Sequence, residues 1–218
     1  DRIALFSDAK VPWLKSHQKA IPEETLPSTE EKFAIYAKAR EIFLDRGYAA
    51  IGMDHFCLKE DSLHLGYEMG ALYRNFQGYS LHLADNMIGF GMSSIGFVEE
   101  AYFQNQKQLE EYQLSLQQDR LPIAYGLILT EEDRLRRFVI QELMCRFQID
   151  KRACEKKFLI DFDSHFQHCP LQPLKDEGLL EETKDHLLPT PLGKLLIRLI
   201  ASAFDAYLTQ EKRHSKLV

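Results

Sequence analysis

Apolar residues at strand and helix spacing predict a strand–helix–strand unit at the start of the chain. Residues 2–6 form an apolar run that predicts a core strand, and because no turn or cap comes before it we expect that more chain precedes it. A capping box at 28–31 opens a helix, and apolar positions continue at helical spacing until Gly47 ends it. Residues 48–53 form a second apolar run. This order is typical of a βαβ unit, whose two strands are parallel members of an α/β sheet or barrel.

Shorter elements follow in the middle of the chain. The pattern predicts a helix over 62–69 and another over 107–118, with short strands over 74–79 and 87–91 between them. The glycines in the two strands allow close approach of neighbouring backbone. The glycine pair with two serines after it, over 89–94, also resembles a phosphate cradle, but it lacks the third glycine and the lysine of the known fingerprints.

A mostly helical module is predicted from residue 125 onward. A capped helix is expected over 130–147, a β-hairpin over 179–188 and a closing apolar helix over 191–208. Helices, a small hairpin and a closing helix resemble a winged-helix arrangement. We therefore predict two domains, 1–124 with an α/β pattern and 125–218 with a helical pattern.

Composition and charge exclude several classes of protein. Hydrophobic residues make up 45% of the 218 positions, enough for a folded core, yet no window reaches the roughly 18 consecutive apolar residues that a membrane span needs. We therefore expect no membrane contact and a cytoplasmic location. The 27 basic and 33 acidic residues give a net charge of −6, which argues against a nucleic-acid partner.

Candidate metal ligands are few, and their spacing is not distinctive. Four cysteines are scattered without a cluster or zinc spacing, so we expect reduced thiols and no metal ligand in this chain. One segment gathers Asp and His side chains with a cysteine, and we favour a solvated helix end over a metal site there because no second shell is evident: Asp161, Asp163, His165, His168 and Cys169.

Two other groups of polar residues invite a chemical interpretation. Asp54 and His55 follow a predicted strand, but as strand neighbours they would point to opposite faces and could not share a proton. Arg134, Arg136 and Arg137 form the best basic group, although acidic residues directly precede them. Neither group by itself defines a function.

Several motifs, taken together and in order, resemble one enzyme family over essentially the whole chain. They include Phe-Ser-Asp-Ala-Lys-Val-Pro, Ile-Gly-Met-Asp-His-Phe, Arg-Asn-Phe-Gln-Gly-Tyr, Gly-Phe-Gly-Met-Ser-Ser-Ile and Phe-Asp-Ala-Tyr-Leu, at 6–12, 51–56, 74–79, 89–95 and 204–208. The set is similar to the carboxyl-terminal half of the oxygen-independent coproporphyrinogen III oxidases, which are radical S-adenosylmethionine enzymes of haem synthesis.

This resemblance implies a fold and a chemistry. The fold would be α/β, with the last part of an incomplete (β/α)6 TIM-like barrel followed by the helical, winged-helix-like domain. The cofactors would be S-adenosylmethionine and a [4Fe-4S] cluster, and the cluster's cysteine ligands would lie upstream of this chain. The substrate would be coproporphyrinogen III, with an electron donor for the cluster, and the enzyme would be a monomer. These 218 residues alone would then be inactive and hold no catalytic residue.

The resemblance also assigns roles to individual residues. Ala9, Phe76, Gln77 and Ile95 match positions that border bound S-adenosylmethionine. The Gln77 amide can both donate and accept a hydrogen bond, and Phe76 offers a flat apolar face. Arg74 is a candidate clamp for a substrate propionate, because a guanidinium meets a carboxylate with two parallel hydrogen bonds. Core packing is the competing interpretation for Ala9 and Ile95, and a structural ion pair is the competing one for Arg74.

Two other functions stay open from the sequence. A haem chaperone of the same superfamily would bind haem without decarboxylating anything, and residues 54–56 and 75–79 favour the oxidase over it. A winged-helix regulator would bind nucleic acid through residues 120–218, and its binding would depend strongly on salt.

Overall fold

The computed structural model describes residues 1–7, 9–13, 15–82, 84 and 86–208. Its first part combines a small sheet with one long helix. The elements are β1 (Arg2–Ala4), two 3₁₀ turns (Ser16–Ala20 and Glu23–Thr25), α1 (Thr29–Asp45), β2 (Tyr48–Ala50) and β3 (His55–Leu58). The predicted capping box is present: the Ser28 side chain accepts from Glu31 N, the Glu31 side chain accepts from Ser28 N, and the helix ends just before Gly47.

The first two strands are parallel members of one sheet, as predicted, but they do not pair with each other. The sheet order is β1-β3-β2, so β3 lies between β1 and β2 and runs antiparallel to both. Ile3 pairs with Phe56, and Ala50 pairs with the same residue from the other side. The second apolar run stops as a strand at Ala50, because residues 52–54 bend and return the chain directly as β3.

The middle of the chain contains a hairpin and a three-stranded antiparallel sheet. The elements are α2 (Ser62–Glu68), β4 (Tyr73–Asn75), β5 (Gly78–Ser80), β6 (Ile95–Val98), β7 (Ala101–Asn105), α3 (Leu109–Gln117) and β8 (Ile123–Ile128). Residues 74–79 do not form the single predicted strand, since the chain reverses between β4 and β5 with Gly78 at φ +121°. Within 87–91 only Met87 makes a bridge, to Phe97, so the strand predicted there is also wrong.

The last part is helical around a second small sheet. Its elements are α4 (Glu131–Arg146), β9 (Ile149–Asp150), α5 (Lys151–Phe158), α6 (Phe162–His165), α7 (Leu171–Asp176), β10 (Leu180–Glu182), β11 (His186–Pro189), α8 (Pro191–Leu195) and α9 (Ile197–Ser202). The predicted hairpin is confirmed, and β9 extends it to the order β10-β11-β9. The closing helix is broken, because Leu196 leaves the helical region at φ −107° and ψ 28°, and it ends at Ser202 instead of 208.

One hydrophobic cluster joins the two predicted domains. It includes Ile51 and Tyr79 from the first and Leu143 and Phe204 from the second. The predicted division between residues 124 and 125 falls inside β8, which is paired along its length with β7. The division stays a prediction, and so does the winged-helix description. No helix of the described residues is long and apolar enough to cross a membrane.

Candidate functional site

Asp54 and His55 form a close pair in the bend before β3. Asp54 Oδ1 lies 2.5 Å from His55 Nδ1, and Asp54 is 6% exposed. The expectation that these neighbours point apart is wrong, because only His55 belongs to the strand. Asp54 lies in the preceding bend, where its carbonyl accepts from Leu5 N at 2.8 Å, and strand alternation does not constrain its side chain.

His55 connects the end of β1 with the turn between β4 and β5. Its ring makes edge contacts with Phe6, at 6.1 Å between centroids, and with Tyr79, at 5.0 Å. A Cβ placed on Gly78 would lie 3.1 Å from His55 Nε2, so that nitrogen faces the turn. Because the Asp54 carboxylate accepts a hydrogen bond from Nδ1–H, it fixes the ring orientation and leaves Nε2 directed at the turn.

Tyr79 ties this region to the helical part of the chain. Its hydroxyl donates to the Met144 carbonyl at 2.9 Å and accepts from Met53 N at 3.3 Å. Burial raises the pKa of this hydroxyl far above its usual value, so it stays protonated. A Cβ on Gly52 would lie 2.3 Å from the Tyr79 ring, which explains why a glycine is needed beside it. Tyr79 therefore serves as a structural anchor for the bend.

The structure places Phe76 and Gln77 side by side in the β4–β5 turn. Phe76 is 59% exposed and contacts Tyr102 edge-on at 5.6 Å. Gln77 is exposed as well; its backbone N–H donates to Asn75 Oδ1 at 2.9 Å, and its side-chain amide makes no hydrogen bond to a described residue. Both side chains are accessible to a ligand.

Ala9 and Ile95 are less closely connected with that turn. Ala9 is exposed beyond the end of β1, where its carbonyl accepts from Gln18 Nε2 at 3.1 Å. It lines a cavity of about 500 Å³ that also contains Asp54 and Tyr36. Ile95 is half-buried in β6, paired with Gln104.

A second cavity, of about 850 Å³, lies between the β4–β5 hairpin, β8, α4 and the segment that follows α9. Arg74, Phe76, Tyr102, Arg137 and Tyr207 are among its lining residues. Ala9 thus lines one cavity and Phe76 the other, and neither cavity includes Gln77 or Ile95. The four residues predicted to border the cofactor do not share one cavity within this chain, and their assignment stays a prediction.

The cysteines of this chain do not fit an iron–sulfur cluster. Burial raises the pKa of Cys145 and of Cys154 to about 12, and it also raises the pKa of Cys57 and Cys169. Cluster ligation needs the thiolate form, which these environments disfavour. Among the described residues no group of three or more His, Cys, Asp or Glu side chains could hold a metal ion.

The Asp and His segment near Cys169 has ordinary structural partners. Asp161 caps α6 by accepting from Ser164 N at 2.8 Å, and Asp163 pairs with Lys151 at 2.6 Å. His165 Nε2 lies 2.8 Å from Glu132. The side chains serve separate contacts, so their chemistry is that of a helix cap and surface pairs.

Three arginines of α4, Arg134, Arg136 and Arg137, lie in three different environments. Arg134 pairs with Glu100, and Arg136 pairs with Glu132. Arg137 instead lies over the Phe97 and Tyr102 rings, with its guanidinium carbon 4.2 Å and 5.3 Å from their centroids. Sequence reasoning treated the three arginines alike, because nothing in their spacing shows which one meets an aromatic sheet.

Comparison with known proteins shows which family this chain resembles. Residues 129–196 match the family described as the HemN C-terminal domain. The chain is 40% identical, over 98% of its length, to an oxygen-independent coproporphyrinogen III oxidase of Synechocystis sp., and it covers 47% of that protein. It is 44% identical to the protein of the same name from Thermostichus vulcanus, over 97% of this chain and 66% of that protein.

A solved structure gives the same result for the fold. Coproporphyrinogen III oxidase from Escherichia coli, described as a radical SAM enzyme, superposes with a TM-score of 0.90 and 34% sequence identity. The match covers 95% of this chain and 48% of that one. The chain therefore spans about half the length of most of these relatives.

The fold is α/β and matches that of a protein described as a radical SAM enzyme. More specifically, the chain belongs to the oxygen-independent coproporphyrinogen III oxidase family and corresponds to the carboxyl-terminal part of its members. The family predicted from the sequence motifs is confirmed. The α/β class is confirmed as well, while the barrel remnant within it stays a prediction.

Proposed function

We propose that this chain is the carboxyl-terminal part of an enzyme that converts two propionates of coproporphyrinogen III into the vinyl groups of protoporphyrinogen IX. The observation that carries the proposal is the likeness to oxidases of that name along 97–98% of the chain, at 40–44% identity. The turn at Phe76 and Gln77 beside His55 agrees with it, because both side chains are accessible to a ligand.

The cofactors would carry out the radical chemistry, and this chain would bind and orient the cofactor and the substrate. When bound, S-adenosylmethionine and a reduced [4Fe-4S] cluster would supply a radical for removal of a hydrogen atom from the β-carbon of a propionate, and loss of carbon dioxide with transfer of one electron to an electron acceptor would leave the vinyl group. The Gln77 amide would hold a polar group of S-adenosylmethionine, and the Phe76 ring would cover an apolar part of it. Ala9 and Ile95 would add apolar contacts.

The Asp54–His55 pair would stabilise the turn that carries these groups. Asp54 fixes the His55 ring, and a Cβ at Gly78 would make a tight contact of 3.1 Å with His55 Nε2. Orientation within a fraction of an ångström matters for hydrogen-atom transfer, because the reacting atoms must meet in line. We assign His55 a positioning role.

The cluster ligands would come from outside these 218 residues, since the buried thiols here stay protonated. The proposed division of labour assigns residues 1–124 to the last part of a radical SAM barrel and residues 125–218 to a helical domain that covers it. An electron donor would complete the reaction, and its identity does not follow from this chain.

The test is anaerobic incubation of the enzyme that contains this chain, joined to its cluster-binding part, with coproporphyrinogen III, S-adenosylmethionine and a reductant. We expect protoporphyrinogen IX and two molecules of carbon dioxide per substrate. Stoichiometric haem binding without carbon dioxide release would instead show a haem chaperone of the same superfamily.

A further inference from the structure

Arg137 is held in the larger cavity by aromatic rings instead of by a carboxylate. Its guanidinium lies 4.2 Å from the centroid of Phe97 and 5.3 Å from that of Tyr102. No carboxylate of the described residues lies within 4.0 Å of its nitrogens. Stacking on rings fixes the plane of a guanidinium and leaves its N–H edge available. Arg137 is therefore an oriented cation that lacks a described counter-ion.

Arg74 is a second cation of this kind in the same cavity. Its Nε is buried without a hydrogen-bond partner among the described residues, and its guanidinium lies 5.7 Å from the centroid of Tyr79. Its backbone is clamped by Gln141, which accepts from Arg74 N at 3.3 Å and donates to Arg74 O at 2.5 Å. A buried, unpaired donor of a charged group is costly unless a ligand satisfies it.

Arg137 belongs to α4, and the backbone of Arg74 in β4 is hydrogen-bonded to the same helix. Gln141, which clamps Arg74, follows Arg137 by four residues, or one helical turn of about 6 Å. Both arginines line the cavity of about 850 Å³, a size in the usual range for small-molecule sites. The structure thus presents two guanidinium groups to one cavity.

The other charged groups of the cavity are already engaged. Arg136 binds Glu132 and donates to the Phe204 carbonyl at 2.9 Å. Asp133 accepts from the backbone and hydroxyl of Thr130 and from the Tyr207 hydroxyl, and Asp205 accepts from Tyr207 N. These contacts leave Arg74 and Arg137 as the groups that an anionic ligand would meet.

An aromatic wall lies beside the pair. Phe76 is largely exposed and contacts Tyr102 edge-on, and Tyr102 in turn lies 4.7 Å from Phe97 between centroids. Apolar rings next to cations suit a ligand that has an apolar body and anionic substituents.

We propose that Arg74 and Arg137 form the carboxylate-binding pair of this cavity and that its ligand is a tetrapyrrole carrying several carboxylates. This inference rests on the proposed function and assigns a substrate-positioning role to Arg137. Each guanidinium meets one propionate, and the rings of Phe76 and Tyr102 contact the macrocycle.

The test measures binding to the full 218-residue chain with coproporphyrin III, the stable and fluorescent oxidised form of the substrate, as the probe. A second probe is the same macrocycle with its propionates converted to uncharged amides. We expect Arg137→Gln to weaken binding of the acid roughly 10- to 100-fold, as loss of a charged hydrogen bond does, and to leave binding of the amide unchanged. Arg137→Lys should fall between, because it keeps the charge and loses the planar fork.

Arg134→Gln is the matched control, because Arg134 lies about one helical turn from Arg137 on α4 and pairs with Glu100 at the surface. It should change binding of either probe less than twofold. The inference is overturned if the unchanged chain binds no coproporphyrin III, if Arg137→Gln binds the acid normally, or if it loses the acid and the amide equally with an unchanged melting temperature.

Steady-state kinetics of the complete enzyme distinguish a failure of this inference from a failure of the proposed function. In the complete enzyme, Arg137→Gln should raise KM for coproporphyrinogen III more than it lowers kcat. Normal KM with normal turnover would refute the role of Arg137 while the oxidase function stands. Absence of turnover by the unchanged enzyme would refute the proposed function itself.

Discussion

Helices α1 and α4 begin with the same local signal and have different fates in the fold. Both start with a capping box, and they contain 17 and 16 residues. None of the α1 residues is buried, whereas α4 buries six, among them Val139 and Leu143. A cap and helical spacing decide that a helix forms, but the elements packed around it decide how much it stabilises.

The two regions therefore differ in how they respond to substitution. The part around α4 contains most of the fully buried side chains, including those of Ile149, Leu187, Ile197 and Phe204. The part around α1 contributes β1, the bend and the 3₁₀ turns, which carry or border the predicted ligand contacts. We therefore expect the part around α4 to contribute more to stability than the part around α1.

The largest expected effect compares one leucine of α4 with one isoleucine of α1. Leu143 is 0% exposed, so Leu143→Ala should lower the free energy of unfolding by about 2–5 kcal/mol through lost burial and an internal cavity. Ile35 is 59% exposed, and Ile35→Ala should change it by less than about 0.5 kcal/mol. Urea unfolding followed by circular dichroism measures both. Equal losses would show that α1 carries as much of the stability as α4.

The next effect concerns Lys151, a buried cation of the helical region. It contacts Asp163 at 2.6 Å and Glu182 at 2.5 Å. Burial alone would lower the pKa of Lys151, but these hydrogen bonds outweigh it and raise the pKa. Lys151→Met keeps the packing of the stem and removes the charge, and it should cost about 1–3 kcal/mol of unfolding free energy at pH 7.

The same pair gives a pH dependence with a defined sign. Burial tends to raise the pKa of Glu182, yet its hydrogen bonds with Lys151 and Lys175 hold that pKa below the usual 4.5. A lowered folded-state pKa stabilises the protein above about pH 4.5, and this contribution is lost as the pH falls through the lowered value. Stability measured from pH 6 to pH 3 should therefore fall less steeply in Lys151→Met than in the unchanged chain. An unaltered slope would mean that Lys175 alone stabilises the carboxylate.

A smaller effect on stability tests the contact between His55 and the turn. Gly78 and Gly91 both have positive φ, at +121° and +92°, so alanine at either site should cost about 1–2 kcal/mol. Only a Cβ at Gly78 meets His55, at 3.1 Å, while one at Gly91 meets nothing within 4 Å. Gly78→Ala should therefore weaken S-adenosylmethionine binding by the complete enzyme more than Gly91→Ala does at a similar melting temperature. Equal binding in the two variants would remove His55 from the site.

The sequence predicts local elements of this fold but not the long-range pairing between them. The capping boxes at Ser28 and Thr130 and the hairpin of β10 and β11 are local features, and the structure has them where the pattern predicts them. The position of β3 between β1 and β2 depends on long-range pairing that no local pattern encodes. For the same reason a chain-neighbour rule could not foresee the Asp54–His55 pair, which needs a bend between the two residues.

The candidate cavity shows the same limit. The motif containing Arg74 and Phe76 was visible in the sequence through its resemblance to the family. Arg137 was not, because its role depends on Phe97 and Tyr102, which precede it by 40 and 35 residues and lie on adjacent strands. The contact of Arg137 with these two aromatic rings is a tertiary contact, and only the packed structure reveals it.

The smallest effect on stability is expected at Gln77, where the effect on binding should nevertheless be large. The side chain is exposed and its amide makes no hydrogen bond to a described residue, so Gln77→Ala should change the free energy of unfolding by less than about 0.5 kcal/mol. If the amide holds S-adenosylmethionine, losing that hydrogen bond costs about 1–3 kcal/mol of binding, or roughly 5- to 150-fold in affinity. The measurement is anaerobic titration of S-adenosylmethionine into the complete enzyme, with melting temperature in parallel. Gln113→Ala is the control, since Gln113 lies on exposed helix α3 away from the turn. Full affinity in Gln77→Ala would exclude the turn from the cofactor site and leave the Asp54–His55 pair as a purely structural support of the bend.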